Sequence, residues 1–508
     1  MMYLPYFSVE TWALFVVLFS LLMLYGYAPY GVFKKLGIPG PKPLPFIGNF
    51  LEYKKGFHIV DLECSRKYGK VWGVYDGRQP LMGTVDTAVI KTILVKECYS
   101  VFTNRRNMGL NGDLYDAVSL IEDDEWKRIR SILSPSFTSG RLKEMFVIMK
   151  HHSNNLIKSL QKAGINEAVD PKQFFGAYSI DVVTSTAFSI DIDSLNSPGD
   201  PFVSNVKKLV DFDVMNPFLI LSVLFPFLTP LMEKIGISIF PVAPMDFFYK
   251  SLKKIKADRE QQVHKPRVDF LQLMVDSQVP GGGAASTEKN SKKGLTDHEI
   301  LSQAVTFIFA GYETSSSTLS FLAYSLATNP EIMEKLLDEI DEFFPDKAPV
   351  KYEPLMQMEY LDMILNEVLR MYPVGVRLER MCKKSVEING MTIPKGMAVQ
   401  VPIYALHYDP SLWPEPEVFR PERFSKENRE NMDPYTFLPF GAGPRNCIGM
   451  RFAVVMMKLA IVEVLQNFSF AVCEETQVPI ELQCTGFLQP AKPVKLKLVP
   501  RISASNEE

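Results

Sequence analysis

Near its C-terminus the chain carries Pro439-Phe440-Gly441-Ala442-Gly443-Pro444-Arg445-Asn446-Cys447-Ile448-Gly449, and a helical pattern follows through Met456 and Ala460. A cysteine just before a helix meets free backbone N–H groups and the positive end of the helix dipole. Both favour the thiolate, the form that ligates metals. Gly441 and Gly443 allow a tight turn and close approach to a flat macrocycle. Reduced to F-x-x-G-x-R-x-C-x-G, the run fixes the residue at five positions. At ordinary usage a chain of this length matches it by chance with a probability on the order of 10⁻⁴. A second chemical candidate is the polar pair Glu313 and Thr314, which closes the apolar run that starts at Ala304. Buried polar groups need a reason, and proton transfer is one. The Thr314 hydroxyl can also bond the carbonyl four residues earlier, bending the helix and leaving a groove.

These residues need elements to hold them. Thr296 and Glu299 form a capping box, and Asn329-Pro330 ends the pattern over thirty residues later. A helix that long and apolar must cross the core, carrying Glu313 and Thr314 with it. Asp76-Gly77 turns a hairpin within residues 70–85, and Asn389-Gly390 turns another between Val386-Glu-Ile and Met391-Thr-Ile. Residues 494–499 alternate as a strand should. Most of the remainder has helical spacing, so the fold class is mainly α with a small β portion. Pro280 to Gly294 reads as a flexible surface loop.

The N-terminus bears on the compartment. No charged residue occurs from Thr11 to Phe33, a span of 23, and Lys34 and Lys35 follow. About 20 apolar residues cross a bilayer, so one N-terminal transmembrane helix is expected. The flanking lysines put the N-terminus outside and the rest in the cytosol. Residues 1–37 are then a membrane anchor and residues 38–508 a catalytic domain. Four prolines (Pro39, Pro41, Pro43, Pro45) make residues 38–49 a stiff extended spacer. In a cytosolic domain the sequon at Asn467 is silent. The uncharged stretch Val214–Met232 is broken by Pro217, Pro226 and Pro230, and is read as a Phe-rich segment dipping into the membrane interface, with an ordinary buried helix pair as the alternative.

Together these motifs resemble the cytochrome P-450 superfamily, over nearly the whole chain. The resemblance implies the fold of that family and a haem b cofactor with Cys447 as the iron ligand. A thiolate ligand pushes electron density toward iron and favours O–O cleavage. Around the haem it implies Arg105, Trp126, Arg130, Arg380 and Arg445 as propionate-side partners, with Phe440 shielding the sulfur and Gly449 beside it. Ala310-Gly311-Tyr312-Glu313-Thr314 resembles the oxygen-activation motif, in which Glu313 and Thr314 supply protons. Ser119, Phe309, Ala310, Val374 and Gly375 are expected in the substrate pocket. Glu367-Val-Leu-Arg370 resembles the family's E-x-x-R, joined by Arg423 of Pro421-Glu-Arg-Phe424 in a buried structural triad. Glu63/Arg66, Glu125/Arg128 and Glu417/Arg420 have the same spacing; only position, about eighty residues before the cysteine, singles out Glu367. Asn104-Arg-Arg106, Trp126-Lys-Arg and Arg377-Leu-Glu-Arg380 look most like family 3, subfamily A. Met108 and Ser315 depart from that pattern, which carries an aromatic and a second Thr at these places.

The implied activity is insertion of one O₂ atom into bulky lipophilic substrates: steroids, drugs and xenobiotics. With 55 basic and 58 acidic groups, net charge −3, the chain has no nucleic-acid footprint. Six scattered cysteines without a Cys-x-x-Cys pair exclude zinc-ribbon and thioredoxin-type chemistry, and all but Cys447 are read as reduced and structural. Neither a complete dinucleotide loop nor a Walker motif is present. The electrons are therefore expected from NADPH through a separate flavoprotein, NADPH–cytochrome P-450 reductase, docking on the cytosolic face nearest Cys447. Cytochrome b5 is an optional further donor, and the implied location is the endoplasmic reticulum membrane. A haem-thiolate isomerase or synthase that rearranges peroxides without a reductase is the alternative, and a haem sensor or carrier the third. Thr314 favours the O₂-using enzyme, because a peroxide rearrangement needs no proton relay.

Overall fold

The computed structural model describes residues 8–162, 167–210, 216–260, 269–278, 294–484 and 486–501. The expected surface loop from Pro280 to Gly294 lies outside them, apart from its last residue. The long helix runs Asp297–Ala327, and both arms of its capping box form: Thr296 Oγ1 accepts from Glu299 N–H, and the Glu299 carboxylate accepts from Thr296 N–H. Nearly all of its second half is buried. It packs most extensively on the helix Pro171–Phe188. That contact needs small residues: a Cβ on Gly311 would lie 2.6 Å from the Val183 side chain, and one on Gly176 would lie 3.1 Å from the Tyr312 ring. Ser179 fixes the register by donating to the Gly311 carbonyl at 2.8 Å. The helix Met450–Asn467, which begins just after Cys447, is buried along most of its length.

The small β portion is a four-stranded sheet with satellites. Val71–Asp76 pairs antiparallel with Gln79–Thr84, which runs parallel to Ala398–Pro402, which pairs antiparallel with Arg377–Met381. Strand alternation puts Leu378 and Arg380 on one face and Arg377 and Glu379 on the other. The Asn389-Gly390 turn has φ of 51° and 75°, the left-handed pair that a two-residue hairpin loop demands. The strand expected over 494–499 is Leu496–Pro500, paired with Phe468–Ala471 and Ala168–Val169.

The N-terminal helix Val9–Tyr27 is capped by Ser8 and is almost wholly exposed. Its 19 residues span about 28 Å, close to the thickness of a bilayer's hydrocarbon core. The helical run continues through the 3-10 turn Ala28–Gly31 to Leu36, and it is a candidate membrane span among the described residues.

The proline run differs from a free spacer. Proline loses its N–H but keeps its carbonyl, and the Pro39 carbonyl accepts from Gly73 N–H at 2.8 Å. Leu44 and Gly48 exchange backbone hydrogen bonds, and Asn49 N–H donates to the Tyr75 carbonyl at 2.7 Å. Residues 38–49 are thus laid against the sheet. Within the second uncharged stretch, Pro217–Leu224 and Pro226–Lys234 are helical and meet at 113°, a break that the prolines impose. Val214 and Met215 lie outside the described residues.

Candidate active site

The cysteine loop is shaped by contacts that only its own residue types allow. Cys447 N–H donates to the Phe440 carbonyl at 2.9 Å, closing the loop. Gly441 and Gly443 have φ of 71° and 73°, and a Cβ on Gly443 would lie 1.9 Å from the Leu94 carbonyl oxygen. Cys447 lines an internal cavity of about 360 Å³ together with Phe440, Gly441, Ile448 and Gly449. Burial pushes the thiol up. Gly449 and Met450 N–H groups and the charges of Arg130 and Arg105 pull it down, and burial prevails. A bound metal ion deprotonates a coordinating thiol outright.

Three arginines converge on the cavity's edge. Arg105 and Arg445 line it, and Arg380 is fully buried beside them. Arg445 donates to the carbonyls of Thr103 (2.9 Å) and Ile121 and lies 4.6 Å from the centre of the Trp126 ring. Among the described residues, Arg380 donates only to the carbonyl of neighbouring Glu379, at 2.8 Å. The Nε of each is buried without a partner. Burial, aided by the charges of Arg105 and Arg380, pushes Arg445 down to about 9. Burial and Arg105 push Arg380 down to about 10. Among the described residues, no carboxylate forms a salt bridge with Arg105, Arg380 or Arg445. Arg130, expected on the same side, reaches the loop itself, donating to Asn446 Oδ1 at 2.9 Å. This cationic edge, with a cysteine in the same cavity and glycines where a planar ring must approach, fits a dianionic haem.

Across the cavity stands the long helix. Thr314 Oγ1 donates to the Ala310 carbonyl at 2.8 Å, the expected back-bond, and both residues line the cavity with Gly311 and Ser315. Glu313 parts company with them. Its buried carboxylate accepts from Lys172 Nζ (2.6 Å), Gln489 Nε2 (2.8 Å) and Ser317 Oγ (3.0 Å), and it is not among the lining residues. Its bonds to Lys172, Gln489 and Ser317 draw the Glu313 carboxylate away from the cavity.

Of the expected pocket residues, Ala310, Val374 and Gly375 line the cavity; Ser119 and Phe309 do not. Phe309 is one ring removed, 6.0 Å from Phe487, which does line it. Phe137, Phe270 and Phe307 complete an aromatic wall that sequence reasoning missed. They come from three helical segments, and no local pattern links them. Met108 is exposed and does not line the cavity.

The triad is assembled without exposure. Arg370 donates to both Glu367 oxygens at 2.8 Å, and Arg423 Nε reaches Glu367 at 3.3 Å. His407, another residue that the sequence did not single out, joins this group to the cysteine loop. Its Nδ1 lies 3.1 Å from the Arg370 carbonyl, and its Nε2 accepts from Leu438 N–H at 3.0 Å.

Comparison with known proteins agrees with this geometry. The cytochrome P-450 family model matches residues 38–498. The chain is 62% identical to cytochrome P-450 3A40 of Oryzias latipes over 502 residues, 99% of each chain. It is 57% identical to cytochrome P-450 3A29 of Sus scrofa, covering 98% of each. It is 54% identical to cytochrome P-450 3A13 of Mus musculus, covering 99% of each.

Proposed function

Because this chain belongs to the cytochrome P-450 family and is a haem-thiolate monooxygenase, we propose that it hydroxylates or dealkylates bulky lipophilic compounds such as steroids, drugs and other xenobiotics. The observation that carries this reading is the cavity between Cys447 and Thr314, walled by Phe137, Phe270, Phe307 and Phe487. An aromatic wall with few polar groups selects apolar molecules by burial. NADPH supplies the electrons through a separate flavoprotein reductase, optionally assisted by cytochrome b5, since the chain holds no nucleotide-binding loop of its own. The reading includes an endoplasmic reticulum membrane location, single-pass, with the catalytic domain in the cytosol; the apolar N-terminal helix followed by Lys34 and Lys35 supports it.

Bound haem supplies the activation of O₂. The chain's own residues hold, orient and protonate. With haem bound, Cys447 would ligate the iron, Arg105, Arg380 and Arg445 would neutralise the propionates, and Phe440 would limit water at the sulfur. Thr314 gives its hydrogen to Ala310, so its lone pairs face the cavity and can hold a water. Rotation off Ala310 turns the same hydroxyl into a proton donor. Glu313, held by Lys172, Gln489 and Ser317, stands one layer back and serves as a reserve of charge, not as the group that touches substrate.

Cys447→Ser in the full-length enzyme with reconstituted reductase tests the assignment. The red-shifted Soret band of the reduced carbon monoxide complex and all NADPH-dependent turnover should vanish; an intact band would place the ligand elsewhere. Thr314→Ala should keep the band but yield less product per NADPH, with the missing electrons recovered as hydrogen peroxide. Thr314→Ser should stay coupled. Equal coupling in both variants would make Thr314 a packing residue.

A further inference from the structure

The foot of the anchor helix is built into the catalytic body. In an α-helix the Tyr25 carbonyl would accept from the N–H of residue 29, but residue 29 is Pro29, which has none. Arg78, in the turn between the first two strands of the sheet, supplies the missing donor: its Nε donates to the Tyr25 carbonyl at 2.9 Å. Its guanidinium carbon lies 3.5 Å from the centre of the Tyr25 ring. A cation at a helix C-terminus also meets the negative end of the dipole, and the anchor carries no basic residue in its own last turn. The contact continues outward. Gly26 lies so close to Phe46 that a Cβ would come within 2.9 Å of the ring. The Tyr25 ring stacks on Phe225 at 6.5 Å and meets Phe227 edge-on at 6.4 Å. Tyr30 O–H donates to the Leu44 and Gly77 carbonyls and accepts from Gly48 N–H. Beyond this junction Phe218, Phe227 and Leu231 are exposed, an apolar face continuous with the anchor.

We propose that Arg78 caps the anchor helix from the catalytic body and thereby locks the anchor, the strand turn and the bent helix pair 217–234 into one lipid-facing unit. The partner is the bilayer, so the inference rests on the membrane reading given above. A body hanging on a loose spacer would leave Phe218 and Phe227 free to leave the lipid. The cap holds them against it.

The test is hydrogen exchange of the full-length enzyme in phosphatidylcholine nanodiscs. Co-purification of the wild type with the discs decides the membrane reading by itself. Arg78→Leu removes a charge-assisted hydrogen bond, and exchange of amides within residues 24–33 and 217–228 should rise on the order of tenfold together. Gly26→Leu, which wedges the anchor off Phe46 without touching a charge, should raise the same two segments. The carbon monoxide spectrum should be unchanged in both variants, excluding general unfolding. Wild-type exchange in both segments, or a rise in 24–33 alone, would overturn the proposal while leaving the membrane reading intact.

Discussion

Two groups of arginines lie near the cysteine loop, and they differ in one respect. Around Glu367 the charges are matched within the chain. Arg370 holds both carboxylate oxygens, Arg423 approaches one, and their other N–H groups reach the carbonyls of His407, Pro416 and Glu415. Around Arg105, Arg380 and Arg445 there are three guanidinium groups, two orphan Nε atoms and, among the described residues, no paired carboxylate. Burying an ion without a partner costs several kcal/mol, roughly, even after relaxation. The first group is therefore complete as polypeptide, and the second becomes complete only with a ligand that brings its own carboxylates. Unmatched buried charge distinguishes a binding site from a structural ion network.

The largest test of this contrast removes the matching charge. Glu367→Gln leaves Arg370 and Arg423 facing each other at a fully buried site, and loss of one partner of a buried pair typically costs about 3–5 kcal/mol. The variant should accumulate poorly and give no thiolate-ligated carbon monoxide band. A wild-type thermal midpoint for Glu367→Gln would erase the distinction between the two groups.

The second test predicts opposite signs from one substitution. Arg380→Met removes an unmatched charge whose only partner among the described residues is an adjacent carbonyl. In the haem-free protein it should raise stability by about 1–3 kcal/mol, as replacing buried ions with apolar groups often does. In the haem-loaded protein it deletes a charge-assisted hydrogen bond worth about 1.5–3 kcal/mol, so haem transfer to an acceptor globin should be about tenfold faster or more. Destabilisation of both forms would make Arg380 a structural residue like Arg370.

What was legible in the sequence divides along physical lines. The cysteine loop, the capping box, the Asn389-Gly390 turn and the Thr314 back-bond are set by neighbours within a few residues, and spacing exposes them. The direction of Glu313 depends on Lys172 and Gln489, 141 and 176 residues away. The aromatic wall likewise assembles from distant helices. The proline run was legible as irregular backbone, yet its docking depends on carbonyl acceptors, which proline retains and composition does not reveal. Position alone separated Glu367 from three equally spaced pairs, and nothing local marked His407.

His407 carries the smallest and most specific test, because it connects the matched group to the cysteine loop. Its ring is fully buried, and that burial, with the charge of Arg370, pushes it down to about 3. The neutral ring can then donate from Nδ1 to the Arg370 carbonyl while Nε2 accepts from Leu438 N–H. Protonation would put a hydrogen on Nε2 and turn that acceptor against the Leu438 N–H. In the unfolded chain the same ring titrates near 6.5, so its contribution to stability is complete above that pH and is lost as pH falls toward about 3. The slope approaches about 1.4 kcal/mol per pH unit between those limits. His58, pushed down to about 4 by burial, adds a similar loss. Asp181, raised to about 7 by burial, opposes both, since its protonated form is favoured in the fold. The informative quantity is thus the difference between wild type and His407→Gln. Glutamine offers an oxygen to Leu438 and an N–H to Arg370 but binds no proton. Between pH 6 and pH 4 the thermal stability of His407→Gln should fall less steeply than that of the wild type, by about 1 kcal/mol per unit. Its thiolate-ligated carbon monoxide band should persist to lower pH. Parallel slopes would mean that the brace between the matched arginines and the cysteine loop does not depend on a neutral ring.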